Sequence, residues 1–112
     1  MHIKCQLRGS TFCEGQDYLR NIASSGRTIR PSDLYLVREP ENPYDQYCVQ
    51  VWCKNQSTNT NVRLGNINRE NSEFVSSYMD TGGTVNVTSL NLYGSLEKGQ
   101  NVGMYFTINA LF

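Results

Sequence analysis

The chain has 112 residues, and its ten lysine and arginine side chains balance ten aspartate and glutamate side chains. A chain of this length forms one domain and buries roughly two-thirds of its unfolded surface, so a core forms without cross-links. The neutral balance argues against a strong non-specific nucleic-acid binder, and no apolar run approaches the roughly 20 residues of a membrane span.

The cysteines and the N-terminus narrow the class of protein further. None of the four cysteines belongs to a C-x-x-C pair, and a single histidine cannot complete a zinc finger. We interpret the thiols as small buried apolar groups in a reducing compartment, and we expect neither a metal nor a cofactor. The first residues lack the apolar segment of a signal peptide, so the expected location is cytoplasmic.

The start of the chain predicts a strand followed by a helix. Apolar residues alternate with polar ones over residues 3–7, which is typical of a half-buried strand. A turn containing Phe12 follows. Apolar side chains with helical spacing then predict a short helix over Gly15–Ser24, and Gly26 is placed to end it.

A rigid turn over residues 36–45 is the most informative segment of the chain. Two prolines within it fix φ and disfavour helix in the residues that precede them. Strands are predicted on both sides of it, over residues 34–37 and 47–53. The turn ends in Tyr44 and Asp45, which place an aromatic ring beside a carboxylate. Rigid loops between strands often carry binding sites.

The next segment predicts a strand and a second helix. Residues 62–67 form the strand, in which Gly65 indicates a close backbone approach or a bulge. Asn68 is placed to cap the helix. Its inner face is predicted from four large side chains at helical spacing: Phe74, Val75, Tyr78 and Met79.

The end of the chain predicts two longer strands. The first, over residues 85–92, changes phase near Ser89, which indicates a β-bulge. A turn at residues 97–100 leads to the final strand over residues 102–108. The whole pattern predicts a mainly β fold with two short helices, in a compact OB-like or bent β-barrel of about six strands.

Several segments together resemble the HIRAN domain family. The most specific is the R-E-P-x-N-P-Y-D pattern in the turn. The matching segments lie in the family's order and span nearly the whole chain: residues 9–12, 36–45, 47–51, 64–70 and 80–83. The chain is therefore expected to be a single, standalone HIRAN-like domain over residues 1–112.

The resemblance implies a function as well as a fold. The best understood members are accessory domains of fork-remodelling helicases, which bind single-stranded DNA and capture its free 3′-hydroxyl end. By resemblance, this chain is expected to be a non-catalytic DNA-binding module that recognises such an end. A helicase or nuclease is the kind of protein partner that the family suggests, and no membrane is expected.

The resemblance also implies roles for five residues. Tyr44 would stack on the terminal base, and Asp45 would accept a hydrogen bond from the 3′-hydroxyl. Phe12 lies at a second stacking position. Asn66 and Arg69 lie where the family contacts phosphates near the end. Neutral residues at other rim positions leave a thin basic rim. In the final strand, an aromatic at residue 105 or 106 is a further candidate for lining the pocket.

The chemistry of these residues is consistent with an end-binding site. Stacking on an aromatic ring contributes about 1–3 kcal/mol and tolerates any base. A carboxylate repels phosphates, so it suits a sugar hydroxyl and rejects a phosphorylated end. The structural alternatives are that Asp45 only caps the turn and that Phe12 and Tyr44 pack in the core. Arg69 would then be an ordinary surface residue.

Other functions stay open at this point. Catalysis is not expected, because the sequence has no nucleophile–base pair, no carboxylate cluster and no ATP-binding glycine loop. The alternative function is a protein-interaction or inhibitor module, of a kind a phage could encode, that keeps the fold with a weakened DNA site. A third option is RNA or a nucleotide as ligand, since nothing in the sequence distinguishes ribose from deoxyribose.

Overall fold

The computed structural model describes residues 1–55, 57–94, 97 and 100–111. Single 3₁₀ turns precede the first helix and the second strand. In chain order the elements are β1 (His2–Arg8), α1 (Gly15–Ser24), β2 (Leu34–Arg38), β3 (Val49–Asn55), β4 (Thr60–Ile67), α2 (Arg69–Asp80), β5 (Thr84–Gly94) and β6 (Val102–Leu111). The predicted turn at residues 97–100 includes Lys98 and Gly99, which lie outside the described residues.

The six strands form one antiparallel sheet in the order β2-β3-β4-β1-β6-β5. The strands at its two ends, β2 and β5, also contact each other. The sheet therefore curls into a half-barrel, as the predicted bent, mainly β fold requires. No helix in the described part of the chain is long and apolar enough to span a bilayer.

The hydrophobic core fills the inside of the curl. In β1, Cys5 and Leu7 face inward and are buried, whereas Lys4 and Arg8 face solvent. Phe106 of β6 is 1% exposed and is among the largest side chains of this core. Burying a side chain of this size contributes about 1.5–3 kcal/mol. Three of the four cysteines are buried, as predicted, and burial raises the pKa of the Cys5 thiol to about 11.

A bulge in β4 brings it close to the end of β1. The register shifts because Val51 pairs with Gly65 while Trp52 pairs with Arg63. Gly65 has a φ of +156°, and a Cβ atom built on it would lie 2.3 Å from the carbonyl oxygen of Arg8. The sequence predicted either a bulge or a close backbone approach at this glycine, and the structure has both.

A second bulge explains the phase change in β5. Val87 pairs with Ile108, and Ser89 pairs with Thr107, so one residue of β5 has no partner between them. The predicted bulge near Ser89 is confirmed. Because the bulge reverses the inward and outward faces of the strand, the residues that follow it present a different set of side chains to solvent.

Helix α2 differs from the prediction at its cap. Asn68 precedes the helix, but its side-chain oxygen accepts a hydrogen bond from the backbone N–H of Gln6 at 2.8 Å. The side chain makes no capping hydrogen bond. The asparagine therefore ties the start of α2 to β1 instead of satisfying the helix terminus.

The predicted inner face of α2 is also partly wrong. Phe74 is 47% exposed and lies on the outside of the helix. Ser72 and Ser76 are buried beside Val75. Each serine hydroxyl donates a hydrogen bond to a carbonyl of its own helix, at 3.3 Å and 3.0 Å respectively. A serine whose hydroxyl is satisfied in this way can be buried, which a hydropathy pattern does not reveal.

Candidate functional site

The side chain of Asn42 holds the turn between β2 and β3 in shape. Its Oδ1 atom accepts hydrogen bonds from the backbone N–H groups of Tyr44 at 2.9 Å and Asp45 at 3.0 Å. Its Nδ2 atom donates to Oε2 of Glu39 at 3.0 Å. One asparagine therefore orients both residues at the end of the turn, and the glutamate orients the asparagine.

Glu39 joins the turn to the neighbouring strands. Its Oε1 atom accepts hydrogen bonds from Gln50 at 2.5 Å and from Arg63 at 3.4 Å. Arg63 also donates to Oδ1 of Asn66 at 2.7 Å. The hydrogen bond from Gln50 is the largest cause that lowers the pKa of Glu39, followed among the favourable contacts by that from Asn42. The sequence did not reveal this link, because its partners lie on two other strands.

Acidification is expected to destabilise the protein through Glu39. Folding lowers the pKa of this carboxyl group below its ordinary value of 4.5. The carboxylate therefore stabilises the fold fully at pH values above its ordinary pKa, and this contribution is lost as pH falls through the folded-state pKa. A Glu39→Gln variant removes this titration. Thermal melts of both proteins between pH 3 and 7 should show a smaller decrease in Tm for the variant at the acidic end. An identical decrease in the two proteins would contradict a role for Glu39.

Arg38 fixes the far side of the turn to helix α2. Its guanidinium donates to the carbonyl oxygens of Gln46 at 2.7 Å and Cys48 at 3.1 Å. It also forms a two-point ion pair with Asp80, at 3.1 Å and 3.3 Å. The turn is therefore tied to the helix that carries Arg69 at its other end.

One cavity of about 270 Å³ brings together all five residues that the sequence singled out. We call it the turn cavity. Four segments far apart in the chain supply them: the 3₁₀ turn after β1, the turn between β2 and β3, β4, and the start of α2. The five residues among its lining are Phe12, Tyr44, Asp45, Asn66 and Arg69.

The two aromatic rings of the turn cavity are exposed. Phe12 is 94% exposed and Tyr44 is 86% exposed. The alternative in which these rings pack in the core is therefore wrong. Exposing a large apolar ring forgoes the roughly 1.5–3 kcal/mol that burial would contribute. Rings held open at a cavity are suited to stacking on a planar ligand.

The two carboxylate oxygens of Asp45 have different surroundings. Oδ1 accepts a hydrogen bond from the backbone N–H of Tyr47 at 2.9 Å, which closes the turn. Within the described part of the chain, Oδ2 has no hydrogen-bond partner. The turn-capping alternative is therefore correct for one oxygen, and the other oxygen is open to a donor from a ligand.

The cations of the turn cavity include one that the sequence did not single out. Arg69 donates one hydrogen bond to the carbonyl oxygen of Tyr44 at 3.0 Å, which holds its guanidinium at the cavity. Arg8 lines the same cavity and is paired with Asn66 across β1 and β4. Extending the alternation of residues 3–7 by one position would have placed Arg8 on the outward face, next to the loop that carries Phe12. The basic rim is therefore less thin than predicted.

The aromatic candidates of the last strand lie elsewhere. Phe106 is buried in the core, and Tyr105 is 39% exposed. Tyr105 lines a second cavity of about 480 Å³, which we call the strand cavity. Arg8 lines both cavities, so the two adjoin each other at this residue.

Comparisons with known proteins agree with this architecture. A family model described as the HIRAN domain matches residues 3–108. The chain is also similar to the crystal structure of a structural-genomics target from Lactobacillus plantarum, at 19% identity and a TM-score of 0.55. That similarity covers 97% of this chain and 98% of the other, and it supports the fold alone. A search of curated proteins finds no match.

Proposed function

This chain belongs to the HIRAN domain family, and from that premise we propose that it captures the free 3′-hydroxyl end of single-stranded DNA. The family is one of single-stranded DNA-binding modules that are generally non-catalytic on their own. One observation carries the finer proposal. Two exposed rings, a carboxylate oxygen with no partner among the described residues, and two arginines converge on one cavity.

Each part of the turn cavity has a role in this proposal. The rings of Phe12 and Tyr44 stack on the last bases of the strand, which gives affinity without selecting a sequence. Oδ2 of Asp45 accepts a hydrogen bond from the 3′-hydroxyl. A 3′-phosphate has no such donor at neutral pH and would place negative charge against the carboxylate.

Arg8 and Arg69 give the turn cavity a local positive charge, although the net charge of the protein is zero. A guanidinium has five N–H donors, and among the described residues Arg69 uses one of them on the backbone of Tyr44. Its remaining donors and those of Arg8 can bind phosphates on the 5′ side of the terminal sugar. Asn66 accepts from Arg63 through Oδ1, which leaves its Nδ2 atom to donate to the same phosphates. A net charge of zero therefore does not prevent a basic local site.

The proposal is tested by comparing two DNA strands that differ only at the end. Fluorescence anisotropy should show that a 5′-labelled octanucleotide with a 3′-hydroxyl binds at least about 10-fold more tightly than its 3′-phosphorylated form, the value of one hydrogen bond to a charged group. Equal binding of the two strands, or no binding of either, would refute end capture. An RNA octanucleotide of matching sequence shows whether the sugar is discriminated.

A concave basic pocket around Tyr44 would favour DNA binding, whereas an exposed apolar patch elsewhere would favour the alternative of a protein-interaction or inhibitor module. The presence of Arg8 and Arg69 at the turn cavity favours a nucleic-acid ligand instead. The protein partner that the proposal predicts is a helicase or nuclease that works at 3′ ends, because the module would present such an end to it.

A further inference from the structure

A pair of stacked tyrosines lies on the outer face of the sheet, and neither of them lines the turn cavity. The ring of Tyr93 on β5 lies across β6 at Gly103, where a Cβ atom would be 2.3 Å from the ring. The absence of a side chain at this glycine lets Tyr93 reach Tyr105. Their ring centroids are 4.8 Å apart with an angle of 30° between the planes. Both rings remain about two-fifths exposed.

Polar residues of β1 hold these rings in place. The side-chain amide of Gln6 donates hydrogen bonds to the hydroxyls of Tyr93 at 2.8 Å and Tyr105 at 3.4 Å. The ammonium group of Lys4 lies 5.1 Å from the centroid of the Tyr105 ring. We call these four residues the tyrosine shelf. Its rings are ordered by contacts from three strands, and part of each ring stays exposed to solvent.

The tyrosine shelf is continuous with the turn cavity. Three of its residues, Lys4, Gln6 and Tyr105, line the strand cavity, and Arg8 joins that cavity to the turn cavity. Lys4 and Arg8 lie on the same face of β1, about 13 Å apart along the strand. Cations therefore flank the path from one aromatic site to the other.

We propose that the tyrosine shelf is a second binding site for the same strand, which holds nucleotides on the 5′ side of the captured end. The inference rests on the proposed function for the direction of the strand. The strand leaves the turn cavity past Arg8 and places a base against the exposed part of the Tyr105 ring in the strand cavity, with its phosphates beside Arg8 and Lys4. Aromatic rings combined with cations along a groove are the usual means by which proteins hold single strands.

Glu70 places a negative charge on the helix side of the strand cavity, so phosphates of a bound strand are expected to avoid that side. It extends from the first turn of α2, and Asn68 donates a hydrogen bond to it at 2.9 Å. This bond is the largest cause that lowers the pKa of Glu70, so the group is charged at neutral pH. The carboxylate repels a phosphate on the helix side. The backbone is therefore directed to the β1 side, where Arg8 and Lys4 lie.

The test is a length series of 3′-hydroxyl DNA strands from two to ten nucleotides, measured by competition against a labelled strand. Once the strand is long enough to extend beyond the turn cavity, wild-type affinity should rise by about 5- to 30-fold and then level off. This gain corresponds to the lower half of the free-energy range for stacking one base on an aromatic ring. Tyr105→Leu should bind the dinucleotide like the wild type but lose this gain. Tyr105→Phe, which retains the ring, should keep it.

Two further variants make the result specific. Tyr35→Leu removes a ring that stacks on Trp52 in another part of the sheet and lines neither cavity, so it should keep the full length gain. Lys4→Gln should reduce the slope of log affinity against log salt by about 0.7 for the ten-nucleotide strand, as expected for one lost phosphate contact. The slope for the dinucleotide should not change.

The possible outcomes separate the two proposals. A wild-type affinity that does not grow with length, or a gain that survives in Tyr105→Leu, would overturn the tyrosine shelf. If instead the gain requires Tyr105 but 3′-hydroxyl and 3′-phosphate strands bind alike, the shelf stands and end capture fails. Melting temperatures of the variants show whether a lost gain comes from unfolding.

Discussion

Replacing Asp45 with asparagine is expected to abolish the preference for a 3′-hydroxyl over a 3′-phosphate. The asparagine Oδ1 atom can still accept the hydrogen bond from Tyr47, so the turn keeps its shape. The second position becomes an NH₂ group, which cannot accept a hydrogen bond from the sugar hydroxyl. The loss for the 3′-hydroxyl strand should be about 10- to 150-fold, the range for a hydrogen bond to a charged group.

The 3′-phosphate strand should behave in the opposite way. Removing the charge of Asp45 removes a repulsion, so this strand should bind the variant at least as well as it binds the wild type. Anisotropy titrations of both strands against both proteins measure the two effects together. A variant that keeps the wild-type ratio of affinities would show that Asp45 serves the turn alone.

Two controls isolate the carboxylate oxygen. Asp17→Asn makes the same change of charge on the exposed face of α1, outside the turn cavity, so both affinities should stay as in the wild type. Asp45→Ala removes the hydrogen bond to Tyr47 as well as the free oxygen. It should therefore lower Tm, whereas Asp45→Asn should leave it nearly unchanged. The difference between the two variants separates the turn from the ligand.

Replacing Gly65 with alanine is expected to destabilise the protein strongly. The new Cβ atom would lie 2.3 Å from the carbonyl oxygen of Arg8, which is backbone and cannot rotate away. The φ of +156° adds strain of its own, since side chains disfavour this conformation. We expect the free energy of unfolding to fall by about 2–4 kcal/mol, among the larger effects of single substitutions. Urea unfolding followed by circular dichroism measures it.

Gly26→Ala provides the matched control for this prediction. This glycine also has a positive φ, +70°, but no atom lies within 4 Å of the Cβ position. The cost there should be about 1–2 kcal/mol, from backbone conformation alone. Equal losses in the two variants would mean that the contact with Arg8 contributes nothing.

The Gly65 variant should also bind DNA poorly where it remains folded. The clash pushes β1 away from β4, and these strands carry Arg8 and Asn66 on opposite sides of the contact. Binding measured well below the melting temperature distinguishes this displacement from simple unfolding. The glycine thus serves the site only through the positions of its neighbours.

The turn could be predicted from the sequence because its chemistry is local. Asn42 accepts from residues two and three positions later, and Asp45 accepts from Tyr47 two positions later. The prolines restrict the same few residues. Alternation in the strands gave the inward and outward faces in the same way. The bulges at Gly65 and Ser89 followed from a glycine and a change of phase.

The failures of the prediction concern burial that depends on partners. Phe74 was assigned to the inner face of α2, yet Ser72 and Ser76 occupy that face because their hydroxyls bond to the helix itself. Phe12 and Tyr44 are aromatic as well, and for them it is the alternative of core packing that is wrong, because both are exposed. A hydropathy pattern ranks side chains by residue type. It cannot show that a buried hydroxyl has a hydrogen-bond partner or that an aromatic ring lies at an open cavity.

The sequence by itself therefore determined the family, the mainly β architecture and the local geometry of the turn, since each depends on patterns within a few residues. Only the tertiary structure decided which faces meet. The pairing of β1 with β4 and β6 brings Arg8 beside Asn66 and Gln6 beside Tyr105. Strand register pairs residues as far apart in the chain as His2 and Asn109. A shift of one residue would turn these side chains to the other face, so neither cavity can be deduced without it.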